Sequence, residues 1–173
     1  MLNSAKIESQ GTWLFGDYIN TDVIAPGLYM KSPIKTLAKH CLETVKPEFA
    51  TNVKPGEVIC AGKSFGMGSS REQAAEVLVF LGVKAVLAAS FGGIFYRNAI
   101  NHGLMALVCH EATRIPEGHS ISIDPLVGAV YDHDDGSNYS CEPMPPHLLE
   151  MLLDGGLVAH LKKRFSEKVN YDY

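Results

Sequence analysis

Val58-Ile59-Cys60-Ala61 runs directly into Gly62-Lys63-Ser64-Phe65-Gly66-Met67-Gly68-Ser69-Ser70-Arg71-Glu72, and the stretch Gln73 to Leu81 follows with helical spacing. Four consecutive apolar residues stopped by a turn former mark a short buried strand. Ala74, Ala75, Val77, Leu78 and Leu81 give the next segment one apolar face, and Gly82 ends it. The pattern then repeats. Ala85 to Ala89 reads as a second buried strand, Ile94 to His102 as a second helix ended near Gly103, and Leu104 to Cys109 as a third strand. Strand, helix, strand, helix, strand at this spacing predicts right-handed parallel crossovers, hence an α/β fold with mostly parallel buried strands and flanking helices.

The glycine-rich turn carries chemistry as well as topology. Three glycines, three serines and an arginine crowd into eleven residues, Gly62 to Glu72. Glycine lets a backbone turn sharply and approach a ligand. A helix N-terminus offers unpaired N–H groups and partial positive charge to an anion. Arg71 adds a planar fork suited to a carboxylate or phosphate. A purely structural reading is also open. Ser69 or Ser70 is a good helix N-cap, and Ser69 with Glu72 has capping-box spacing. Pattern alone does not choose between an anion site and a cap. The turn is neither a Walker loop nor a dinucleotide fingerprint.

Working outward toward the N-terminus, Gly11 to Phe15 reads as a strand, followed by the turn-rich loop Gly16-Asp17-Tyr18-Ile19-Asn20-Thr21-Asp22. Asp17 and Asp22 either cap turns or orient a cation such as a substrate-binding arginine. Tyr29 to Pro33 is a polar loop. Leu37 to Val45 has helical spacing, with Ala38, Cys41, Leu42 and Val45 on one face.

Toward the C-terminus, Ser120 to Asp124 and Gly128 to Tyr131 read as a hairpin. Asp132-His133-Asp134-Asp135-Gly136 reads as a solvated acidic turn, with no metal assigned to it. Leu148 to Leu153 and Leu157 to Phe165 suggest two helices around Gly155-Gly156, and the tail from about Ser166 to Tyr173 is expected to fray.

The bulk numbers fit one domain spanning residues 1–173. At 173 residues the chain can bury a substantial core, and 46% hydrophobic with 20% charged residues is ordinary for a globular protein. A net charge of −4 without any basic tract argues against nucleic acid. No apolar run has the length of a membrane span, and the first eleven residues lack a signal peptide's apolar region. Cys41, Cys60, Cys109 and Cys141 are widely spaced, with no Cys-x-x-Cys pair. A reduced, cytoplasmic protein without its own zinc or iron–sulfur ligands is expected.

Three motifs together resemble the small subunits of the aconitase-type hydro-lyases, above all those of the short bacterial and archaeal 3-isopropylmalate dehydratases. They are Gly16-Asp17-Tyr18-Ile19-Asn20-Thr21-Asp22-Val23-Ile24, then Ala61 through Glu72, then Ser90-Phe91-Gly92-Gly93-Ile94-Phe95-Tyr96-Arg97-Asn98-Ala99-Ile100-Asn101-His102-Gly103-Leu104. Their order and spacing match, and with Gly155-Gly156-Leu157 the resemblance covers nearly the whole chain. Gly-Ser-Ser-Arg-Glu alone would be weak; three ordered motifs are specific.

The resemblance implies a swivelling β/β/α domain that closes over a large subunit. That separate chain would hold a 4Fe-4S cluster through its own cysteines, and this chain would hold no metal. The implied reaction removes water from a di- or tricarboxylic hydroxy acid and returns it at the neighbouring carbon. Ser69 would be the base, acting as an alkoxide, while the open iron of the cluster is the Lewis acid. Such an alkoxide needs N–H groups and a nearby cation to stabilise it. Ser70 and Arg71 would bind a substrate carboxylate within a backbone cradle turned by Gly66 and Gly68. Asp22 would orient a cationic partner. Lys31 would offer positive charge from the specificity loop.

Four residues, at three places, depart from the family pattern. Met67 stands where cysteine is common, and Gln73 where histidine is common. Met30-Lys31 stands where an arginine often follows Tyr-Leu. A lysine there is a point donor and not a fork, so the substituent on the substrate is left open. Homoaconitate and 2,3-dimethylmalate dehydration are the alternatives within the class. Outside it stand a non-catalytic anion-binding module and a small hydrolase using Ser69 or Ser70; a homo-oligomer is an option for the isolated chain. The hydrolase needs a histidine base in reach, and none of the seven histidines sits in a nucleophile-elbow setting.

Overall fold

The computed structural model describes residues 6–169. Its centre is a four-stranded parallel sheet whose strands stand side by side in chain order: β2 (Thr12–Leu14), β3 (Val58–Ala61), β4 (Ala85–Ala88) and β5 (Met105–Val108). The register pairs Val58 with Ala85 and Ala85 with Met105. The helices α4 (Gln73–Phe80) and α5 (Gly93–Asn101) are the crossovers. Strands added always in one direction through right-handed crossovers leave their helices on one face of the sheet, and α4 packs against α5 there.

The other face is covered by a second sheet, antiparallel, in the order β1-β6-β7-β8. It comprises β1 (Ile7–Ser9), β6 (Ile121–Asp124), β7 (Ala129–Asp132) and β8 (Asn138–Ser140). The result is an α/β fold of three layers: antiparallel sheet, parallel sheet, helices.

The sequence explains the layering. Every residue of β3 and β4 is buried, because a central strand between two cores has no polar face. Side chains alternate between the two faces. Ile59, Ala61, Val86, Ala88 and Ala106 join the core under the helices, with Phe49, Ala74, Leu78 and Phe95. Val58, Cys60, Ala85, Leu87, Met105 and Leu107 join the core between the sheets, with Ile121, Ile123 and Val130. Each fully buried Leu or Ile contributes roughly 1.5–3 kcal/mol.

The expected hairpin is β6 with β7, and α6 (Pro146–Leu153) and α7 (Leu157–Val169) are the two helices around the glycine pair. β1 and β8 extend the hairpin sheet on its two sides, and neither was anticipated. α7 extends to Val169, and residues 170–173 of the tail expected to fray lie outside the described residues.

The helix expected over Leu37 to Val45 is corrected. Helix α2 spans Ile34–Ala38 only, and a series of turns follows before the short helix α3 (Phe49–Asn52). At Leu42 the backbone enters the left-handed region (φ 61°), and its N–H donates to the Val23 carbonyl at 3.1 Å. Cys41 and Leu42 are still fully buried, but Val45 is exposed. The apolar spacing is therefore met by turns folded onto the core and not by a helical stripe.

The solvated reading of the acidic turn is corrected at one residue. Asp132, the last residue of β7, is fully buried. Its carboxylate bonds His119 Nδ1 at 2.8 Å and the Asp134 N–H at 2.9 Å, while Asp134 accepts from the Ser120 N–H at 2.6 Å. These bonds clasp the start of β6 to the end of β7. Among the described residues, no helix is long and apolar enough to cross a membrane.

Candidate functional site

All three motif loops leave the C-terminal ends of neighbouring parallel strands, the edge at which open α/β sheets place their ligands. They are laced together by backbone bonds. The Gly62 N–H donates to Gly16 O (3.1 Å), Tyr18 to Lys63 O (2.7 Å), Gly66 to Ile19 O (2.6 Å) and Thr21 to Met67 O (2.8 Å). On the other side Phe65 donates to Ser90 O (3.0 Å) and Gly92 to Phe65 O (2.8 Å). Beneath them the rings of Phe65 and Phe95 meet edge to face at 5.3 Å, and Phe91 stacks on Phe95 at 6.3 Å.

This lacing needs unusual backbone. Gly66 (φ 74°) and Gly68 (φ 107°) lie in the left-handed region, where a Cβ is disfavoured. A side chain at Gly66 would also overlap the Phe95 ring. Tyr18 and Ser64 take positive φ as well, so non-glycine strain gathers in the same loops.

Ser69 and Ser70 are exposed, and neither caps α4. The N-cap is Glu72, without a side-chain cap bond, so the expected capping box does not form. The Glu72 carboxylate bonds His102 Nε2 at 3.0 Å instead, joining the starts of α4 and the end of α5. Ser69 Oγ lies 3.2 Å from Thr21 Oγ1, which lies 3.2 Å from the Ser69 carbonyl oxygen as well. Thr21 is buried in the first turn of α1 (Thr21–Ile24), a short helix capped by the Asn20 side chain accepting from the Val23 N–H at 2.9 Å. Sequence reading passed over Thr21, since nothing in its neighbourhood marks a partner 48 residues away.

Arg71 and Asp22 form an ion pair, the arrangement proposed for one of the two loop aspartates. Arg71 also donates to the Ala25 carbonyl at 2.9 Å. Two carbonyl-type acceptors thus fix the guanidinium and leave further donors of its five for a ligand. Asp17 is structural: its carboxylate accepts from the Lys63 N–H at 2.7 Å and packs against Gly62. The N–H of Gly66 is committed to Ile19, so Gly66 shapes the turn without donating from it. The N–H groups of Gly68, Ser69 and Ser70 donate to no backbone carbonyl among the described residues. Lys31 is exposed, just after the 3-10 turn Gly27–Tyr29. That turn touches the arginine, because a Cβ on Gly27 would stand 3.4 Å from the Arg71 guanidinium. Tyr29 stacks on His40 with ring centroids 3.6 Å apart, which holds the start of the loop in place.

Each motif loop carries an exposed apolar side chain, Tyr18 (61% exposed), Met67 (40%) and Ile94 (50%), and Leu28 (84%) stands in the 3-10 turn.

The cysteines do not fit an iron–sulfur cluster. All four are buried, and burial pushes the thiols of Cys41 and Cys60 up, against the thiolate a metal needs. Among the described residues, the group of three metal-ligating side chains close enough to share an ion is His119, Asp132 and Asp134, which contains no thiol.

Residues 24–112 match the Aconitase C-terminal domain family. The 3-isopropylmalate dehydratase small subunit 1 of Thermotoga maritima is 45% identical over 89% of this chain and 94% of its own length. The methanogen homoaconitase small subunit of Methanothermobacter thermautotrophicus is 42% identical over 92% of this chain and 94% of its own. A crystal structure of 3-isopropylmalate dehydratase from Methanocaldococcus jannaschii superposes with a TM-score of 0.88 at 38% identity, covering 96% of this chain and 99% of that one. Three motif loops gathered at one sheet edge, and likeness over nearly the full length, place this chain in the aconitase C-terminal domain family, among the small subunits of the 3-isopropylmalate dehydratase type.

Proposed function

We propose that the chain is the small subunit of a heteromeric hydro-lyase that interconverts 2-isopropylmalate and 3-isopropylmalate by loss and return of water. The observation that carries this reading is the meeting of two separate loops, Ser69 with Thr21 and Arg71 with Asp22. Dehydration of a hydroxy acid needs a base at the carbon acid, an anchor for the carboxylate, and a Lewis acid at the departing hydroxyl. This chain supplies the first two. Ser69 takes the proton from carbon. Arg71, with the open N–H groups of Gly68 to Ser70 and the Ser70 hydroxyl, holds a substrate carboxylate. The same positive surroundings favour an alkoxide on Ser69, which in water would be far too basic to form. Asp22 sets the guanidinium, and Lys31 offers a further cation to a second carboxylate.

The Lewis acid would be a 4Fe-4S cluster held by a large subunit, since the buried cysteines here are unsuited to it. The exposed apolar side chains of the loops, Tyr18, Leu28, Met67 and Ile94, are where such a partner would seat, excluding water from the reacting carbon. A second substrate reading, homoaconitate, draws on the likeness to a homoaconitase small subunit and on Lys31, whose charge suits a third carboxylate. Anaerobic assembly with the cognate large subunit, followed by assays on isopropylmalate, homoaconitate and 2,3-dimethylmalate, separates these. Turnover of isopropylmalate alone supports the first reading; turnover of homoaconitate in its place supports the second; none on any substrate by an assembled, cluster-loaded complex refutes both.

A further inference from the structure

Two thiols, Cys109 and Cys141, stand at the ends of two strands, and the proposed reaction uses neither. Cys109 directly follows β5 of the parallel sheet, and Cys141 directly follows β8 of the antiparallel one. At this point the two sheets are bridged. The Glu142 N–H donates to the Val108 carbonyl at 2.7 Å, placing each cysteine beside the same backbone bond. Neighbouring bonds hold both strand ends, from the Cys109 N–H to Ala88 O at 2.8 Å and from the Cys141 N–H to Gly128 O at 2.7 Å. Both side chains are free thiols buried in the core between the sheets, and each stands one residue from the backbone bond that joins the two strand ends.

We propose that Cys109 and Cys141 are a dithiol–disulfide pair, an oxidation site that covalently joins the end of one sheet to the end of the other. Cys109 is fully buried and Cys141 keeps a small exposed surface, while their chain neighbours His110, Glu142 and Pro143 are exposed, with His110 Nε2 3.9 Å from the Glu142 carboxylate. The two thiols are also unequal. A side-chain hydrogen bond from Cys141, helped by the Glu111 N–H, lowers the pKa of Cys109 against the opposing effect of burial. The same bond and burial raise that of Cys141. These directions favour Cys109 as the attacking thiol and Cys141 as the resolving one. Cys60, nearby in the same core, is held protonated by burial.

With hydrogen peroxide as oxidant the chemistry balances. The Cys109 thiolate attacks one peroxide oxygen, the O–O bond breaks, and Cys109 sulfenic acid and hydroxide form. The hydroxide takes the Cys141 proton to give water. The Cys141 sulfur then attacks Cys109 sulfur, the S–S bond forms, and the second hydroxide leaves, neutralised by the proton Cys109 released on ionising. Two thiols and one peroxide become one disulfide and two waters. The new bond closes the segment carrying β6, β7 and β8 into a loop, which restricts the unfolded chain.

The test uses the folded full-length chain, prepared without oxygen, exposed to hydrogen peroxide, alkylated and digested without reduction. The expected result is a linked peptide pair containing Cys109 and Cys141, lighter by two hydrogens than its parts. Alkylatable thiols should fall from four to two and return with dithiothreitol. The oxidised chain should melt several degrees higher. In C141S, peroxide should leave a sulfenic acid on Cys109 that dimedone captures. Four alkylatable thiols after peroxide, a link through Cys41 or Cys60, or overoxidation of Cys109 without any link in the wild-type chain overturns the proposal.

Discussion

Thr21 Oγ1 lies 3.2 Å from Ser69 Oγ, and the two belong to loops that leave different strands of the parallel sheet. Thr21 is buried and Ser69 exposed, so the fixed hydroxyl positions the free one. The contact depends on the backbone lacing beneath it, since the Thr21 N–H donates to the Met67 carbonyl.

Replacing Thr21 by valine keeps the shape and deletes the hydroxyl. A Thr21→Val chain should fold and assemble normally, yet lose about tenfold in kcat, the equivalent of roughly 1.4 kcal/mol of positioning. Thr21→Ser should restore most of it. Steady-state kinetics of the assembled enzyme, with circular dichroism as the folding control, checks this.

Arg71 holds Asp22 and the Ala25 carbonyl at once, and a lysine has no fork to do both. Arg71→Lys should lower kcat/KM by about 10²–10³, with much of the loss in KM, because the carboxylate anchor is affected more than the base. An unchanged KM would separate Arg71 from substrate binding.

Gly66 combines a left-handed backbone with no room for a methyl group against Phe95. Gly66→Ala should cost roughly 3 kcal/mol or more in urea unfolding, from strain and overpacking together. It should also reduce activity, since the loop carrying Ser69 would have to shift.

The His119–Asp132 clasp gives stability a pH dependence. The hydrogen bond from His119 to the Asp132 carboxylate raises the pKa of His119, and the charges of Asp132, Asp134 and Asp135 reinforce this against desolvation. A raised folded pKa means the contribution is complete below the unfolded value, about 6.5, and is lost as pH rises through the folded one. The thermal midpoint should therefore fall on going from pH 6 to pH 8.5, by more in the wild-type chain than in His119→Gln. Parallel slopes for the two chains would show that His119 does not carry the effect.

The parallel half of the fold was legible because its strands are short apolar runs punctuated by glycine, and its helices have one apolar face. The run Ala38, Cys41, Leu42 misled, because turns can bury the same spacing once Leu42 adopts a positive φ. β1 and β8 are three residues each, with Ile7 and Tyr139 as their buried apolar anchors, too little for any period to emerge. Asp132 lies inside an acidic stretch whose composition signals solvent, and only the fold reveals the histidine that makes its burial tolerable. At the site, Ser69, Arg71 and Asp22 could be named in advance because motif residues announce themselves. Thr21 could not, and neither could the engagement of Gly66 with Ile19, since both depend on which loops the sheet brings together.

The most direct measurement is turnover by Ser69→Ala assembled with its large subunit and loaded with cluster under anaerobic conditions. The account predicts a loss of about 10³-fold or more in kcat with assembly, cluster content and substrate binding preserved, because only the proton-accepting oxygen is gone. Turnover within a few-fold of wild type by that complex would contradict it and remove Ser69 from the chemistry.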